Sequence, residues 1–135
     1  EGATKLIEAH VRGAKTENDA RIAAKAIVRS PLVKSAVFGK DPNWGRVVAA
    51  VGYSGADIDQ DKMSLAFASG DDIVQLVERG NIVDSSTNVP GPLEHIMAQD
   101  EIVIMVDIGL GEQNATAWGC DLTYDYIRIN ADYTT

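Results

Sequence analysis

Residues 101–110 constrain the fold more than any other segment, because their side chains are apolar on both alternating sides. One side carries Ile102, Ile104, Val106 and Ile108, and the other carries Val103 and Met105. A strand that is apolar on both sides is typical of the middle of a sheet whose two faces are covered. The segment therefore predicts a central, covered strand.

The segments before it alternate between strand and helix patterns. Residues 4–12 alternate apolar and polar side chains, which predicts a half-buried strand. Residues 17–29 have apolar side chains at helical spacing, and Thr16 is a candidate N-cap, so an amphipathic helix is predicted there. Ser30-Pro31 is expected to end it.

The remaining predicted elements follow in chain order. They are one or two helical turns at 31–38, a helix that Asp41-Pro42 begins and Gly52 and Gly55 end, strands at 63–67 and 73–77, a loop at 81–91, a helix from Pro92, a hairpin-like turn at 109–113, a strand at 114–119, and a helix from Leu122 to about Ala131 capped by Asp121. An extended conformation is the alternative for the last segment.

Together these elements predict an α/β fold of mixed α+β character, with helices packed on a mixed sheet. A boundary near residues 55–60 separates a helix-rich region, residues 1–56, from a sheet-rich C-terminal region, residues 57–135. The composition does not shift enough at this point to require two domains. A chain of 135 residues is also the ordinary size of one domain.

Composition excludes several classes of function. The net charge of −8 argues against a general nucleic-acid surface and against binding to anionic membranes. A single cysteine, Cys120, excludes an intrachain disulfide and a zinc site built from several thiolates, and a buried, inert thiol is expected. Without a signal peptide or a long apolar run, a cytoplasmic or organelle-matrix location is expected. The absence of an initiator methionine suggests a processed chain or an excised domain.

Few side chains form a recognisable catalytic or metal-binding pattern. His10 and His95 have no acidic residue at ligand spacing, so both are expected to be surface or structural histidines, and no metal site is predicted. Trp44 and Arg46 fit an anion pocket at a helix N-terminus. They fit equally well an arrangement in which Asp41 caps the helix, Trp44 packs and Arg46 pairs with a carboxylate.

Both ends of the chain carry candidate ligand contacts. Residues 116–135 are dense in aromatic and hydrogen-bonding side chains, which predicts an end that docks into a core or at a site and makes Asn130 and Thr135 candidate contacts. Glu1 precedes Gly2, and a glycine lets the backbone approach a ligand closely.

Three stretches, taken together, resemble the ornithine acetyltransferase family, the bifunctional glutamate N-acetyltransferases of arginine biosynthesis. They are Glu1-Gly2-Ala3-Thr4-Lys5, the run SPLVKSAVFGKDPNWGR at 30–46, and the run GCDLTYDYIRINADY at 119–133. The resemblance implies a self-processing fold in which a precursor cleaves itself into α and β chains. The new N-terminal threonine of β accepts acetyl from N-acetylornithine and passes it to glutamate.

The resemblance also implies what this chain contributes. It matches the C-terminal portion of the β chain, without the nucleophilic threonine or the donors of the oxyanion hole, so no catalytic residue is expected in it and the chain alone is expected to be inactive. Substrate contacts are implied at Glu1, Asn130 and Thr135. A carboxylate at Glu1 suits an ornithine-type amino group.

Partners and cofactors follow from the same resemblance. The implied partners are the upstream α and β segments of the precursor, in an α2β2 heterotetramer. No cofactor is implied, although some members use acetyl-CoA as a second acetyl donor. The alternatives are an aminopeptidase or amidase on the same scaffold, and a stand-alone binding domain with Glu1 and Thr135 far apart.

Overall fold

A computed structural model describes residues 1–83 and 91–132 and confirms the mixed α/β class. The elements are β1 (Leu6–Ala14), α1 (Glu17–Arg29), α2 (Pro31–Phe38), α3 (Trp44–Tyr53), a 3-10 turn (Gln60–Lys62), β2 (Ser64–Ser69), β3 (Asp72–Glu78), β4 (Asn81–Ile82), α4 (Pro92–Met97), β5 (Glu101–Asp107), β6 (Gln113–Cys120) and α5 (Tyr124–Ala131). The bounds predicted for α1 and α2 are confirmed to the residue, because a capping side chain or a proline marks them.

The six strands form one mixed sheet in the order β4-β3-β2-β5-β1-β6. β5 lies between β2 and β1, so its predicted central position is confirmed. It runs parallel to β1 and antiparallel to β2, whereas β6 pairs antiparallel with the other side of β1. β2, β5 and β1 are therefore interior strands, and they supply most of the buried sheet residues of the core.

One core lies between the sheet and the helices. It joins the sheet residues Ile7, Ala9, Val11, Ile102, Ile104 and Val106 to Ala20, Ala23, Ala24 and Ile27 of α1 and to Ile96 and Met97 of α4. The alanines of α1 allow close approach to the sheet. At the edge, a Cβ atom on Gly119 of β6 would lie 2.9 Å from Cβ of Val28, so only glycine fits there.

The opposite face of the sheet is less covered than the sequence predicted. Val103 and Met105 of β5 are half-buried, and Glu8, Arg12 and Trp118 on neighbouring strands are half-buried or exposed. The expectation that β5 is covered on both sides is therefore wrong for the described residues. The helices within residues 1–83 and 91–132 supply only one apolar layer, and that layer packs against the Ile102 side.

The prediction of a hairpin-like turn at 109–113 is also wrong. β6 does not pair with β5, because β1 occupies that edge of β5. Instead, residues 109–112 cross the end of β1, where the amides of Leu110 and Gly111 both donate to the carbonyl of Gly13, each at 2.8 Å. The connection therefore delivers β6 to the far side of β1.

Two predicted helix caps are replaced by neighbouring residues. α3 begins at Trp44 and its N-cap is Asn43, whose side chain accepts from the amide of Arg46, so Asp41-Pro42 lies before the helix. α5 begins at Tyr124 and its N-cap is Thr123, not Asp121. At the other end of α3, Gly52 lies inside the helix and Ser54 is the C-cap.

The sheet takes strands from both sides of the boundary predicted near residues 55–60. β1 belongs to the N-terminal region that was expected to be helix-rich, yet it lies between β5 and β6, which both follow the boundary. Two residues of the loop predicted at 81–91 form β4, and residues 84–90 lie outside the described residues. Within residues 1–83 and 91–132, no helix has the length and hydropathy needed to cross a bilayer.

Candidate functional site

The N-terminal segment is held to the connection between β6 and α5 by the carboxylate of Asp121. Oδ1 of Asp121 accepts hydrogen bonds from the amides of Thr4, at 2.8 Å, and Lys5, at 3.0 Å, while Oδ2 accepts from the hydroxyl of Thr4. The amide of Asp121 in turn donates to the carbonyl of Lys5 at 3.2 Å. Asp121 is only 2% exposed, and bonds to a buried carboxylate are stronger than neutral ones.

Thr123 makes the second attachment, and it uses its hydroxyl in both directions. The hydroxyl donates to the carbonyl of Gly2 at 2.5 Å and accepts from the amide of Tyr126 at 2.9 Å. The second bond is the N-cap of α5. One buried side chain therefore ties the N-terminal segment to the first turn of the helix.

Gly2 lets the two segments approach this closely. Its φ is +87°, and a Cβ atom there would lie 2.6 Å from the amide nitrogen of Tyr126 and 2.8 Å from the carbonyl carbon of Asp125. Glycine is therefore required both for its backbone conformation and for its lack of a side chain. The close approach expected beside Glu1 is made to helix α5.

Lys5 is the one buried cation of this region among the described residues. It is 8% exposed, and its ammonium donates to the carbonyl of Gln99 at 2.5 Å. Burial lowers the pKa of Lys5 below its usual 10.5, and the charge of Lys40 lowers it further, whereas Asp100 and Asp121 act in the opposite direction. The ammonium therefore lies in a region where a charge is poorly solvated.

Two of the three predicted substrate contacts fall within this region. Glu1 is exposed at the start of the segment that Thr123 and Asp121 hold. Asn130 is exposed on α5, where its amide group donates to the carbonyl of Tyr126 at 2.7 Å. Since Gly2 packs on Tyr126, Asn130 lies one turn, about 6 Å of axial rise, beyond that contact. Thr135 lies outside the described residues.

The helix that carries Asn130 is itself exposed. No residue of α5 is buried, although Tyr124, Tyr126, Ile127 and Ile129 are apolar or aromatic. The only described ring contact of α5 is the edge-on packing of Tyr124 against Phe38, with ring centroids 5.5 Å apart. The predicted docked end is therefore attached at its start, through Thr123, and leaves apolar side chains uncovered along its length.

The other candidates from the sequence take structural or surface positions. Arg46 donates to the carbonyl of Leu32 at 3.0 Å. This bond supports neither the predicted anion pocket nor the predicted pairing of Arg46 with a carboxylate. Trp44 is half-buried against the core, and Asp41 is exposed and accepts from the side chain of Asn43 at 3.2 Å. Cys120 is half-buried, not buried as expected.

The two histidines lie on different elements, His10 on β1 and His95 on α4. His10 is half-buried on the open face of the sheet, and His95 is exposed, with Nε2 3.7 Å from a carboxylate oxygen of Asp72. Among residues 1–83 and 91–132, no group of three histidine, cysteine or acidic side chains is placed to hold a metal ion.

Asp121, Thr123 and Lys5 belong to this region, although the sequence did not single them out as site residues. One signal was present: Asp121 and Thr123 are both capping residues and lie two positions apart, so only one of them could cap α5. The residue that does not cap the helix has to accept hydrogen bonds from other donors. Nothing in the sequence indicated that these donors are the amides of Thr4 and Lys5, more than one hundred residues earlier.

The comparisons with known proteins match this chain along its whole length. The model of the ArgJ family matches residues 1–135. The chain is 65% identical over 135 residues to a glutamate N-acetyltransferase of Methanosarcina acetivorans, and the match covers 100% of this chain and 34% of that relative. It is 53% identical over 135 residues to an arginine biosynthesis bifunctional protein ArgJ of Caldanaerobacter subterraneus, where the match covers 100% of this chain and 33% of the relative.

A solved structure shares the fold. The crystal structure of the arginine biosynthesis bifunctional protein argJ from Bacillus halodurans superimposes with a TM-score of 0.88 at 40% identity, over 98% of this chain and 60% of that one. The chain spans about a third of the length of the curated relatives it matches.

Proposed function

The chain belongs to the ArgJ family, and we propose that it forms the substrate-contacting C-terminal third of a glutamate N-acetyltransferase. The complete enzyme transfers acetyl from N-acetylornithine to glutamate. This C-terminal third supplies substrate-binding groups and scaffold, while the threonine nucleophile and its oxyanion-hole donors come from the other segments. The chain without those segments is therefore inactive.

One observation carries the assignment of the binding groups. The segment that begins with Glu1 is bound to the first turn of α5, and Asn130 lies on the same helix. A shared substrate site needs these groups in one region, and this attachment supports that arrangement. Thr135 is proposed as the third contact because it follows α5 in the sequence.

The transfer takes two balanced steps. The threonine hydroxyl attacks the acetyl carbonyl of N-acetylornithine, the C–N bond breaks, and the ornithine amine leaves with the hydroxyl proton. The amine of glutamate then attacks the threonine ester, gives its proton to the threonine oxygen and leaves as N-acetylglutamate. In this scheme Glu1 binds the side-chain ammonium of the ornithine substrate as a charge-assisted pair.

The partners of the chain are proposed from the same scheme. They are the upstream α and β segments of one self-cleaving precursor, assembled as an α2β2 heterotetramer in the cytoplasm. Acetyl-CoA is proposed only as a second acetyl donor, and no resident cofactor is needed. The uncovered side chains of α5 and the open face of the sheet provide apolar surface on which such segments can pack.

The test is acetyl transfer by a chimaera, defined as the Methanosarcina acetivorans glutamate N-acetyltransferase with this chain in place of its matching third. We expect the chimaera to convert N-acetylornithine and glutamate into ornithine and N-acetylglutamate. The chain alone should form neither product. Release of acetate without N-acetylglutamate would instead indicate an amidase. A folded chimaera that forms neither product would contradict the proposal.

The role of Glu1 is tested in the same chimaera with Glu1→Gln. Glutamine keeps the shape of the side chain and removes its charge. The KM for N-acetylornithine should therefore rise about tenfold or more, because one charge-assisted hydrogen bond is lost. Glutamate has no side-chain ammonium, so its KM should change much less. Glu112→Gln is the matched control, since Glu112 is exposed and lies by the opposite end of β1. Equal effects on both substrates would remove Glu1 from this role.

A further inference from the structure

Two buried polar side chains, Asp121 and Thr123, connect segments of the proposed site that are far apart in sequence. Asp121 accepts from both amides and the hydroxyl of the pair Thr4 and Lys5. Thr123 donates to the carbonyl of Gly2 and accepts from the amide of Tyr126. Together they fix the backbone of residues 2–5 and the direction in which α5 leaves the sheet.

We propose that Asp121 and Thr123 are positioning residues of the substrate site, which hold Glu1 and the Asn130 helix in their binding geometry. The assignment rests on the proposed function. Neither side chain has to touch substrate, since both are almost fully buried, at 2% and 3% exposure. Their effect passes through Gly2 to Glu1 and through Tyr126 to α5.

Thr123 does more than cap a helix. A helix N-cap needs only an acceptor for an amide of the first turn, and Thr16 provides this for α1 with one bond, from Asp19, at 3.0 Å. Thr123 provides the same cap and also donates its proton to the N-terminal segment. The two threonines therefore share the capping bond and differ in this additional bond and in burial, since Thr16 is exposed.

Binding geometry is sensitive to such attachments. Glu1 has no described hydrogen bond of its own, so the position of its carboxylate depends on how residues 2–5 are fixed. α5 buries no side chain, so its direction depends on its first turn. Loss of either attachment should therefore weaken substrate binding while the chemistry at the nucleophile, which lies on another segment, continues.

The test compares Thr123→Val with Thr16→Val in the chimaera. Valine keeps the volume of threonine and removes the hydroxyl. Both variants should lower the Tm because each loses one N-cap, and Thr123→Val should lower it more because the carbonyl of Gly2 also loses its donor. Only Thr123→Val should raise the KM for N-acetylornithine, by about tenfold, with kcat within about twofold. Thr123→Ser, which retains the hydroxyl, should restore the KM.

Asp121→Asn gives an independent reading. It preserves the shape and one acceptor but removes the charge, so KM should rise and kcat should again change little. Asp57→Asn is its control, because Asp57 is exposed and lies in the connection after α3. If Asp121→Asn does not fold, the Thr123 pair decides.

The outcomes separate the two proposals. An active chimaera in which Thr123→Val lowers the Tm but leaves the KM unchanged would overturn the positioning role and leave the proposed function intact. A fall in kcat with an unchanged KM would overturn it as well. A folded parental chimaera without acetyl transfer would overturn the proposed function and this assignment with it.

Discussion

At the scale of the residue, burial of the Lys5 ammonium lowers the stability of the folded chain. Burial lowers its pKa from 10.5, so between the folded pKa and 10.5 the unfolded chain binds more protons than the folded one. Stability from this group therefore rises with pH through that window. The penalty is complete below the folded pKa and vanishes above 10.5.

Comparison with Lys5→Met measures this penalty. Methionine has a similar length and no charge, so the free energy of unfolding of the parent, relative to the variant, should increase from pH 7 towards pH 10.5. Urea unfolding followed by circular dichroism gives both values. A decrease over this range would mean that the ammonium is stabilised in the fold and that the direction of its pKa shift is wrong.

At the scale of the element, two glycines with opposite surroundings test the packing of the helices. A Cβ on Gly119 of β6 would lie 2.9 Å from Cβ of Val28 and 3.1 Å from its carbonyl oxygen, so Gly119→Ala should push α1 away from the sheet and cost about 1–3 kcal/mol. Gly52 in α3 has nothing within 4 Å, so Gly52→Ala should stabilise the helix by about 1 kcal/mol.

Urea unfolding of the two variants beside the parent gives the signs directly. Two destabilised variants would mean that α3 cannot accept a side chain at Gly52, and two neutral ones would mean that the contact between α1 and β6 is loose.

At the scale of the whole molecule, the proposed assembly predicts where protection is gained. α5 buries no residue in this chain, so its amides should exchange quickly with solvent when the chain is alone. In the chimaera, contact with the remaining segments should cover Tyr124, Ile127 and Ile129 and slow that exchange. Hydrogen exchange with mass spectrometry compares the same peptides in both samples. Unchanged exchange in α5, beside unchanged β1 as reference, would mean that the helix is not an interface.

The sequence by itself determined the local elements of this protein. α1 and α2 follow from helical spacing together with Thr16, Ser30 and Pro31, and these signals act over only a few residues. The central position of β5 follows from its apolar side chains. The family also follows from the sequence, since the runs at 30–46 and 119–133 identify it without any coordinates.

Only the tertiary structure decided how distant segments meet. The order β5-β1-β6 replaced the expected hairpin, because the edge of β5 was already taken by β1. Asp121 was expected to cap α5 but binds the amides of Thr4 and Lys5, while Thr123 caps the helix. Hydrogen-bond partners of this kind are chosen by proximity in space across more than one hundred residues, and a local sequence pattern carries no information about that proximity.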